Sequence, residues 1–334
     1  MSFFLGIDAG NTKTIALVAR ADGTIVGAGR SGCGDIYGAR STAHAIEAID
    51  AAVTQALTAA SARRADLASI VLSAAGADWP EDFVFLREQL TGHGLAAITV
   101  YNDAIGALRA GSPDGTGVVV ACGTGGATGA RNAKGEVWHS SFWQMAGGAG
   151  ELGNRLLRAV YGADMQMAPP TALTTAVLAH FQMDSVERVL HALTARDSAA
   201  DFESRFIHPK TGGLARLLLD VADRGDGVAR QIVQNHGEAL GAQAIVAARK
   251  VGLLGQPLSL VLSGGVMHHP SPLLRDAMVD QVRPHCPHIQ VCRDGFEPAL
   301  GAVMLALESR QQLVDAAVRE HLRSTQPSAT FFDT

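Results

Sequence analysis

The stretch Leu5-Gly6-Ile7-Asp8-Ala9-Gly10-Asn11-Thr12-Lys13-Thr14 decides the fold of this chain. An apolar run over residues 3–7 leads through this polar turn into a second β-like run over residues 14–19. The pair Asp22-Gly23 is a strong hairpin signal, and a third run over residues 24–29 follows it. The opening of the chain therefore predicts three strands joined by a polar turn and a tight hairpin.

The polar turn has the composition of a phosphate-binding turn. Its small residues leave backbone N–H groups exposed, and these groups can cradle phosphate oxygens. Lys13 and the hydroxyls of Thr12 and Thr14 add further donors, while Asp8 at the strand end is placed to hold a magnesium ion through water. Gly-rich turns are also common as purely structural features, so this turn alone leaves both interpretations open.

A second copy of the pattern favours the phosphate interpretation. Residues 118–121 form another apolar run, and the turn Gly123-Thr124-Gly125-Gly126 follows. This turn starts 113 positions after Gly10 (123 − 10), and Gly135 lies 112 positions after Gly23 (135 − 23). Two such hairpins at a nearly constant offset predict a duplicated domain with a nucleotide between the halves.

Length and composition narrow the class of protein. The chain has 334 residues, enough for two full cores, and its 47% hydrophobic and 18% charged residues are typical of globular proteins. A net charge of −5 gives no basic surface for nucleic acid or anionic membrane. No apolar run approaches the ~18 residues of a membrane helix, and the chain opens on a strand without a signal peptide.

The cysteines and the Gly- and Pro-rich segments predict the redox state of the thiols and the domain boundaries. The four cysteines, Cys33, Cys122, Cys286 and Cys292, form no Cys-x-x-Cys pair, so we expect reduced thiols in a cytoplasmic protein. The Gly/Pro-rich segment 111–115 predicts a boundary between an N-terminal domain, 1–112, and a C-terminal domain, 113–325. The helical periodicity within the second half predicts an insertion over about 165–250, with breaks at Pro209 and at Gly212-Gly213.

Asp103 is the first candidate for chemistry, because it lies where an apolar strand stops and a helix starts. Ligands collect at the carboxyl ends of strands in α/β folds, and a carboxylate there could accept the proton of an attacking hydroxyl. The alternative is a helix N-cap. Asn102 could provide that cap, which would free Asp103.

Two other acids and one glycine pair each allow two interpretations. Glu151, in a Gly-rich loop before a helix, could bind hydroxyls of a polar substrate or could complement the helix dipole. Asp35 invites the same choice between a polar ligand and an Asx-turn. Gly264-Gly265, at the end of an apolar strand, could let a flat ring lie against the backbone or could form a plain strand-to-helix turn.

Taken in order, these motifs resemble the sugar-kinase/actin/Hsp70 ATPase superfamily, and more closely the BadF/BadG/BcrA/BcrD-type proteins, which include N-acetylglucosamine kinases. Residues 8–14 resemble the first phosphate motif and Gly123–Gly126 the second. Asn102-Asp103-Ala104 resembles the segment with the catalytic aspartate, residues 262–266 the adenosine motif, and residues 297–302 the C-terminal segment.

The resemblance implies an α/β fold of duplicated actin-like ATPase (ribonuclease H-like) domains, with a central cleft and a helical insertion in the second half. It implies transfer of the γ-phosphoryl group of ATP, with Mg²⁺, to a hydroxyl of a small-molecule sugar such as an N-acetylhexosamine. The chain could form a homodimer. The implied roles are the base (Asp103), phosphate contacts (Asn11, Thr12, Lys13, Thr14, Gly123, Thr124, Gly125 and Gly126), adenosine contacts (Gly264 and Gly265), magnesium (Asp8) and sugar contacts (Asp35, Asp103, Gly147, Gly148 and Glu151).

The departures from the family pattern concern the sugar. N-acetylglucosamine kinases usually carry an asparagine where this chain has Gly34-Asp35, and Gly-Asp-Glu-Gly-Ser where it has residues 147–153, so the expected aspartate is missing. That segment resembles the sugar loop of the repressor/open-reading-frame/kinase (ROK) glucokinases, with Asn154 in place of their histidine. The residues of the ROK zinc site are absent.

Two other functions remain open at this point. An ATP-driven activator of a radical dehydratase or reductase carries an iron–sulfur cluster between subunits, and Cys122 lies beside the second phosphate turn. A non-catalytic sugar sensor would bind a sugar without releasing ADP.

The duplicated hairpins yield a prediction that tests the shared nucleotide. We expect Lys13→Ala and Thr124→Val each to raise the KM for ATP more than the KM for the sugar, because the two turns contact one triphosphate. Steady-state kinetics with each substrate varied in turn measures both constants. Unchanged ATP kinetics in both variants would refute a nucleotide shared by the two turns.

Overall fold

The computed structural model describes residues 2–195, 213–293 and 295–333 and arranges their strands in two five-stranded sheets. The first sheet holds β1 Phe3–Ala9, β2 Thr14–Ala19, β3 Ile25–Ser31, β4 Leu67–Ala74 and β5 Ile98–Asn102. The second sheet holds β6 Gly117–Cys122, β7 Gly126–Arg131, β8 Val137–His139, β9 Leu258–Ser263 and β10 Ile289–Cys292.

The two sheets share one topology. Their strand orders are β3-β2-β1-β4-β5 and β8-β7-β6-β9-β10. In each sheet the first strand in sequence pairs antiparallel with the second, and the second pairs antiparallel with the third. The fourth strand pairs in parallel with the first, and the fifth pairs in parallel with the fourth. The two polar turns occupy equivalent places, between β1 and β2 and between β6 and β7. The predicted duplication is therefore confirmed.

The helices of the first half are α1 Thr42–Ala59, α2 Pro80–Gly92 and α3 Asp103–Gly111. Those that follow β8 are α4 Ala149–Asp164, α5 Ala172–Phe181, α6 Val186–Thr194, α7 Leu214–Asp223, α8 Gly227–Lys250, α9 Leu273–Val282, α10 Pro298–Glu308, α11 Ala316–Thr325 and α12 Ala329–Phe332. The predicted helical insertion is present as α5–α8. The predicted breaks at Pro209 and Gly212 lie outside the described residues, and Gly213 directly precedes α7. The described helices include none that is both long and apolar enough to span a membrane.

The helices α3 and α10 are exchanged between the halves. α3 follows β5 of the first sheet, yet its Ala104 and Leu108 pack with Val119 and Val261 of the second sheet. α10 comes after the second sheet, yet its apolar side chains pack on β1, β2 and β4. α11 also packs against the first sheet, at β3. The division into 1–112 and 113–325 follows the chain and stays a proposal, because the packing crosses it.

Where α3 and α10 cross, their backbones touch. A Cβ atom added to Gly301 would lie 2.0 Å from the carbonyl oxygen of Gly106 and 2.8 Å from the amide nitrogen of Ala110. The same two helices are tied by an ion pair in which the buried Arg109 donates to Glu308 at 2.7 Å. The crossing thus fixes how the two sheets face each other across the cleft.

This crossing yields a stability prediction. We expect Gly301→Ala to lower the free energy of unfolding by at least ~1–3 kcal/mol, because the neighbouring atoms belong to backbone and cannot move aside. Urea denaturation measures the change. Gly227→Ala is the matched control, since Gly227 is also helical and an added Cβ atom meets nothing within 4 Å. Equal stability of the two variants would contradict the close crossing.

Candidate active site

A cleft of about 760 Å³ brings the two phosphate turns together. Lys13 from the first turn and Gly123 and Thr124 from the second turn line this cleft. Gly264 and Gly265, which follow β9, line it too. Residues from the first phosphate motif, the second phosphate motif and the adenosine motif therefore share one cavity, as the sequence predicts for a nucleotide between the halves.

The remaining residues of the first turn differ in accessibility. Asn11 and Thr12 are exposed, as is Gly125 of the second turn. Thr14 is fully buried, and its hydroxyl donates a hydrogen bond to the carbonyl oxygen of Gly32 at 2.9 Å. The prediction that Thr14 contacts phosphate is therefore wrong, because its only polar side-chain atom is used to hold the following Gly-rich loop.

The glycines of the predicted sugar loop pack against the second phosphate turn. The amide of Ala149 donates to the carbonyl oxygen of Gly123 at 2.8 Å. A Cβ atom on Gly148 would lie 2.3 Å from the carbonyl oxygen of Gly125, and one on Gly126 would lie 2.7 Å from that of Ala146. Gly147 and Gly148 thus support the phosphate turn, and we remove both from the proposed sugar contacts.

Glu151 lies in the first turn of α4, because this helix begins at Ala149. Its carboxylate accepts hydrogen bonds from the amide of Gly147 and from the guanidinium of Arg155. Burial raises the pKa of Glu151, but these two donors outweigh it and hold the pKa below its ordinary value. The contacts match the helix-terminus interpretation, so Glu151 also leaves the proposed sugar site.

Two side chains of α8 that the sequence analysis missed anchor this loop. His236 is fully buried, and its Nε2 lies 3.1 Å from the carbonyl oxygen of Gly147, to which the neutral ring donates. Burial lowers the pKa of His236 and favours that neutral form. Gln243 donates to the carbonyl oxygen of Trp143 at 3.2 Å. Nothing in the spacing of the sequence connects α8 with this loop.

Asp103 is the first residue of α3, and Asn102 is its N-cap. The side chain of Asn102 accepts from the amide of Ala104 at 3.1 Å, so the cap is provided by Asn102 and the alternative role for Asp103 is excluded. Burial, together with the carboxylates of Asp78 and Asp35 and opposed by the amide of Ala104, raises the pKa of Asp103 to about 6. Asp103 is thus a carboxylate with a pKa close to neutrality.

Asp78 is an acid of this site that the sequence analysis did not identify. Asn102 donates to its carboxylate at 3.2 Å, and the hydroxyl of Ser141 from the second half also hydrogen-bonds to it. Asp35 accepts from the amide of Tyr37 at 2.9 Å, which is the Asx-turn considered above, and it raises the pKa of both Asp78 and Asp103. Three carboxylates from the first half therefore lie close together.

Asp8 connects these acids to the nucleotide cleft. It lines the cavity beside Lys13, and burial together with the nearby Asp103 raises its pKa to about 7, while Lys13 opposes this. Among residues 2–195, 213–293 and 295–333, no three His, Cys, Asp or Glu side chains gather into a metal site. Mg²⁺ needs no such group, because it binds one or two carboxylates plus waters and phosphates. Asp8, facing a phosphate cleft, fits that requirement.

The cleft and fold were compared with known proteins. The chain is 26% identical to an N-acetyl-D-glucosamine kinase from Dictyostelium discoideum over 92% of this chain and 98% of that one. A structure from Chromobacterium violaceum, provisionally named N-acetylglucosamine kinase, has a TM-score of 0.64 at 22% identity and covers 92% and 99% of the two chains. A ROK family glucokinase from Streptomyces griseus, solved with glucose and AMPPNP, has a TM-score of 0.55 at 19% identity, covering 92% and 100%.

These likenesses agree with the duplicated fold of actin-like ATPase domains and with an ATP-dependent kinase as the class of enzyme. The model of one family matches residues 5–306, which include both phosphate turns, Asp103 and the adenosine motif. The chain belongs to the BadF/BadG/BcrA/BcrD ATPase family.

Proposed function

We propose that this protein transfers the γ-phosphoryl group of ATP to a hydroxyl of a neutral sugar, N-acetylglucosamine or a related N-acetylhexosamine, in the cytoplasm. The observation that carries the proposal is the register of the first sheet. Ala9 pairs with Ala74 and Ala74 pairs with Asn102, so Asp8 of the nucleotide cleft and Asp103 lie at the same edge of this sheet. A base and a phosphate site therefore adjoin. The name of the Dictyostelium relative supports the choice of sugar.

In this proposal the nucleotide lies between the two turns. Lys13, Thr124 and the glycines of the turn Gly123–Gly126 hold the phosphates, with Asn11 and Thr12 at the rim, while Gly264 and Gly265 face the adenosine. Asp8 would hold Mg²⁺, which, when bound, neutralises phosphate charge. Most of the rate enhancement in phosphoryl transfer comes from such positioning and charge neutralisation.

The acidic end of the cleft binds the acceptor. Asp103 takes the proton of the attacking hydroxyl, and its raised pKa makes it a stronger base than an ordinary aspartate. Asp35 and Asp78 accept hydrogen bonds from other hydroxyls of the sugar. Carboxylates are good acceptors for hydroxyls but repel anions, so this end favours a neutral polyol over an acidic sugar.

The dehydratase-activator alternative has less support. Cys122, which directly precedes the second phosphate turn, is fully buried in a core cluster, and burial raises its thiol pKa to about 12. Iron–sulfur clusters bind thiolates, and a cluster shared between subunits needs them at the surface. ADP release distinguishes a kinase from a non-catalytic sensor, because only the kinase releases ADP.

The test is a screen for ADP release over hexoses, N-acetylhexosamines and muramic derivatives, with mass spectrometry of the products. We expect phosphorylation of a neutral N-acetylhexosamine. Sugar binding without ADP release would favour the sensor, and preferred turnover of an acidic muramic derivative would contradict the role given to the carboxylates.

Asp103→Asn should lower kcat by ~10²-fold or more, the usual scale of general base catalysis, and should leave the dissociation constant for ATP unchanged. Kinetics with the best sugar of the screen and calorimetry with ATP measure the two quantities. Because Asn102 provides the helix cap, we expect the melting temperature to stay within a few degrees. Turnover close to wild type would remove Asp103 from the mechanism.

The pKa of Asp103 predicts the pH dependence of the reaction. A base with a pKa of about 6 is protonated below that pH, so kcat/KM for the sugar should fall as the pH drops through about 6. Asp78→Asn removes a neighbouring negative charge and should move the midpoint of this limb to lower pH. Two results would contradict this assignment. The first is a fall of kcat/KM only near pH 4 in the wild type, and the second is an unchanged midpoint in Asp78→Asn.

A further inference from the structure

Three aromatic side chains meet across the cleft next to the proposed sugar site. Phe142 of the second half contacts Tyr37 of the first half edge to face, with ring centroids 5.3 Å apart and planes at 88°. Phe142 also stacks on Trp79 of the first half, at 6.1 Å and 13°. Ring pairs in direct contact have centroids about 4.5–7 Å apart, so nothing lies between these rings. We call Tyr37, Trp79 and Phe142 the aromatic clasp.

The clasp is connected to the acids of the sugar site on both sides. The amide of Tyr37 donates to Asp35, and Trp79 directly follows Asp78. On the opposite side, Ser141 precedes Phe142 and hydrogen-bonds to Asp78. The clasp therefore spans the two halves directly beside the carboxylates that we assign to the acceptor.

Both sides of the clasp are held in a fixed orientation. The hydroxyl of Tyr37 donates to the buried carboxylate of Asp82 at 3.0 and 3.1 Å, and Asp82 accepts from the amide of Trp79 at 2.7 Å. Across the cleft, Ser141 has a φ of +46°, which is unfavourable for a residue with a side chain, and its hydroxyl lies 2.6 Å from Nδ1 of His139. Strain of this kind persists where a loop is held in one functional position.

Exposure distinguishes the clasp from a core contact. Phe142 is 61% exposed and Tyr37 52% exposed, so the rings contribute little to burial of apolar surface. This contact contributes little to the stability of the fold, and it forms only when the two halves approach each other. It is therefore suited to open and close together with the cleft.

We propose that the aromatic clasp is a size filter for the acceptor and that Phe142 is the residue that determines this specificity. This inference rests on the proposed function, because it concerns the sugar held by Asp35, Asp78 and Asp103. With the clasp closed, the rings of Tyr37, Phe142 and Trp79 are in contact beside these carboxylates, so a second ring attached to the sugar would have to displace that contact. The enzyme should therefore accept the monosaccharide and reject its glycosides.

The experiment compares N-acetylglucosamine with its β1,4-linked disaccharide as acceptors, in the wild type, Phe142→Ala and Trp143→Ala. Trp143 is the matched control: it is the next aromatic residue, it is 68% exposed, and its contact with Gln243 uses the backbone carbonyl, which substitution leaves in place. Phe142→Leu serves as a second variant of intermediate size. Melting temperatures of all variants are measured alongside kcat/KM.

We expect the wild type to favour the monosaccharide by tenfold or more in kcat/KM. Phe142→Ala should reduce that preference at least tenfold, with Phe142→Leu between, and Trp143→Ala should keep it. If Phe142 has only a structural role, Phe142→Ala would lower kcat/KM equally for both acceptors and leave the ratio of the two values unchanged. This result would overturn the filter. Equal use of both acceptors by the wild type would also overturn it while leaving the kinase intact. Phosphorylation of neither would refute the proposed sugar as well.

Discussion

The close crossing of α3 and α10 is the contact on which the active site depends. Each helix belongs to one half by sequence and to the other by packing, so the crossing at Gly106 and Gly301 joins the two sheets. Both helices also begin at the cleft: Asp103 is the first residue of α3, and Glu297, which precedes α10, lines the nucleotide cavity. A side chain at the crossing would therefore displace Asp103, the proposed base, together with the proposed phosphate site.

Much of this arrangement follows from local sequence. The strands that carry Asp8 and Asn102 and the turn at Gly123 are marked by apolar runs that stop at polar residues, and the offset of 113 residues between Gly10 and Gly123 identifies the duplicated sheet. Such signals are local, because they depend on the period of a strand and on the backbone freedom of a turn. The structure extends most of the predicted elements by one or two residues only.

What the sequence did not show depends on contacts between distant segments. Asp78 lies after β4, as Asp103 lies after β5. β4 is the parallel neighbour of β1, and β5 is the parallel neighbour of β4, so the position of Asp78 at a strand end was a usable signal. His236 offered none, because its contact with Gly147 joins segments 89 residues apart. Thr14 was misassigned because a hydroxyl in a phosphate-type turn has the same sequence signature whether it faces a ligand or the next loop.

The loop that lacks the family's aspartate has a packing role in this chain. In this chain the loop is occupied by glycines whose backbones pack on the second phosphate turn, and a side chain at Gly148 would collide with the carbonyl oxygens of Gly123 and Gly125. At Gly150, directly before Glu151, an added Cβ atom would meet nothing within 4 Å, so the packing constraint is specific to Gly148. The carboxylates Asp35 and Asp78 come from the first half and adjoin Asp103, so the proposed acceptor site is built on one half and closed by Phe142 of the other. Recognition and closure then become separate tasks, carried by charges on one side of the cleft and by an aromatic ring on the other.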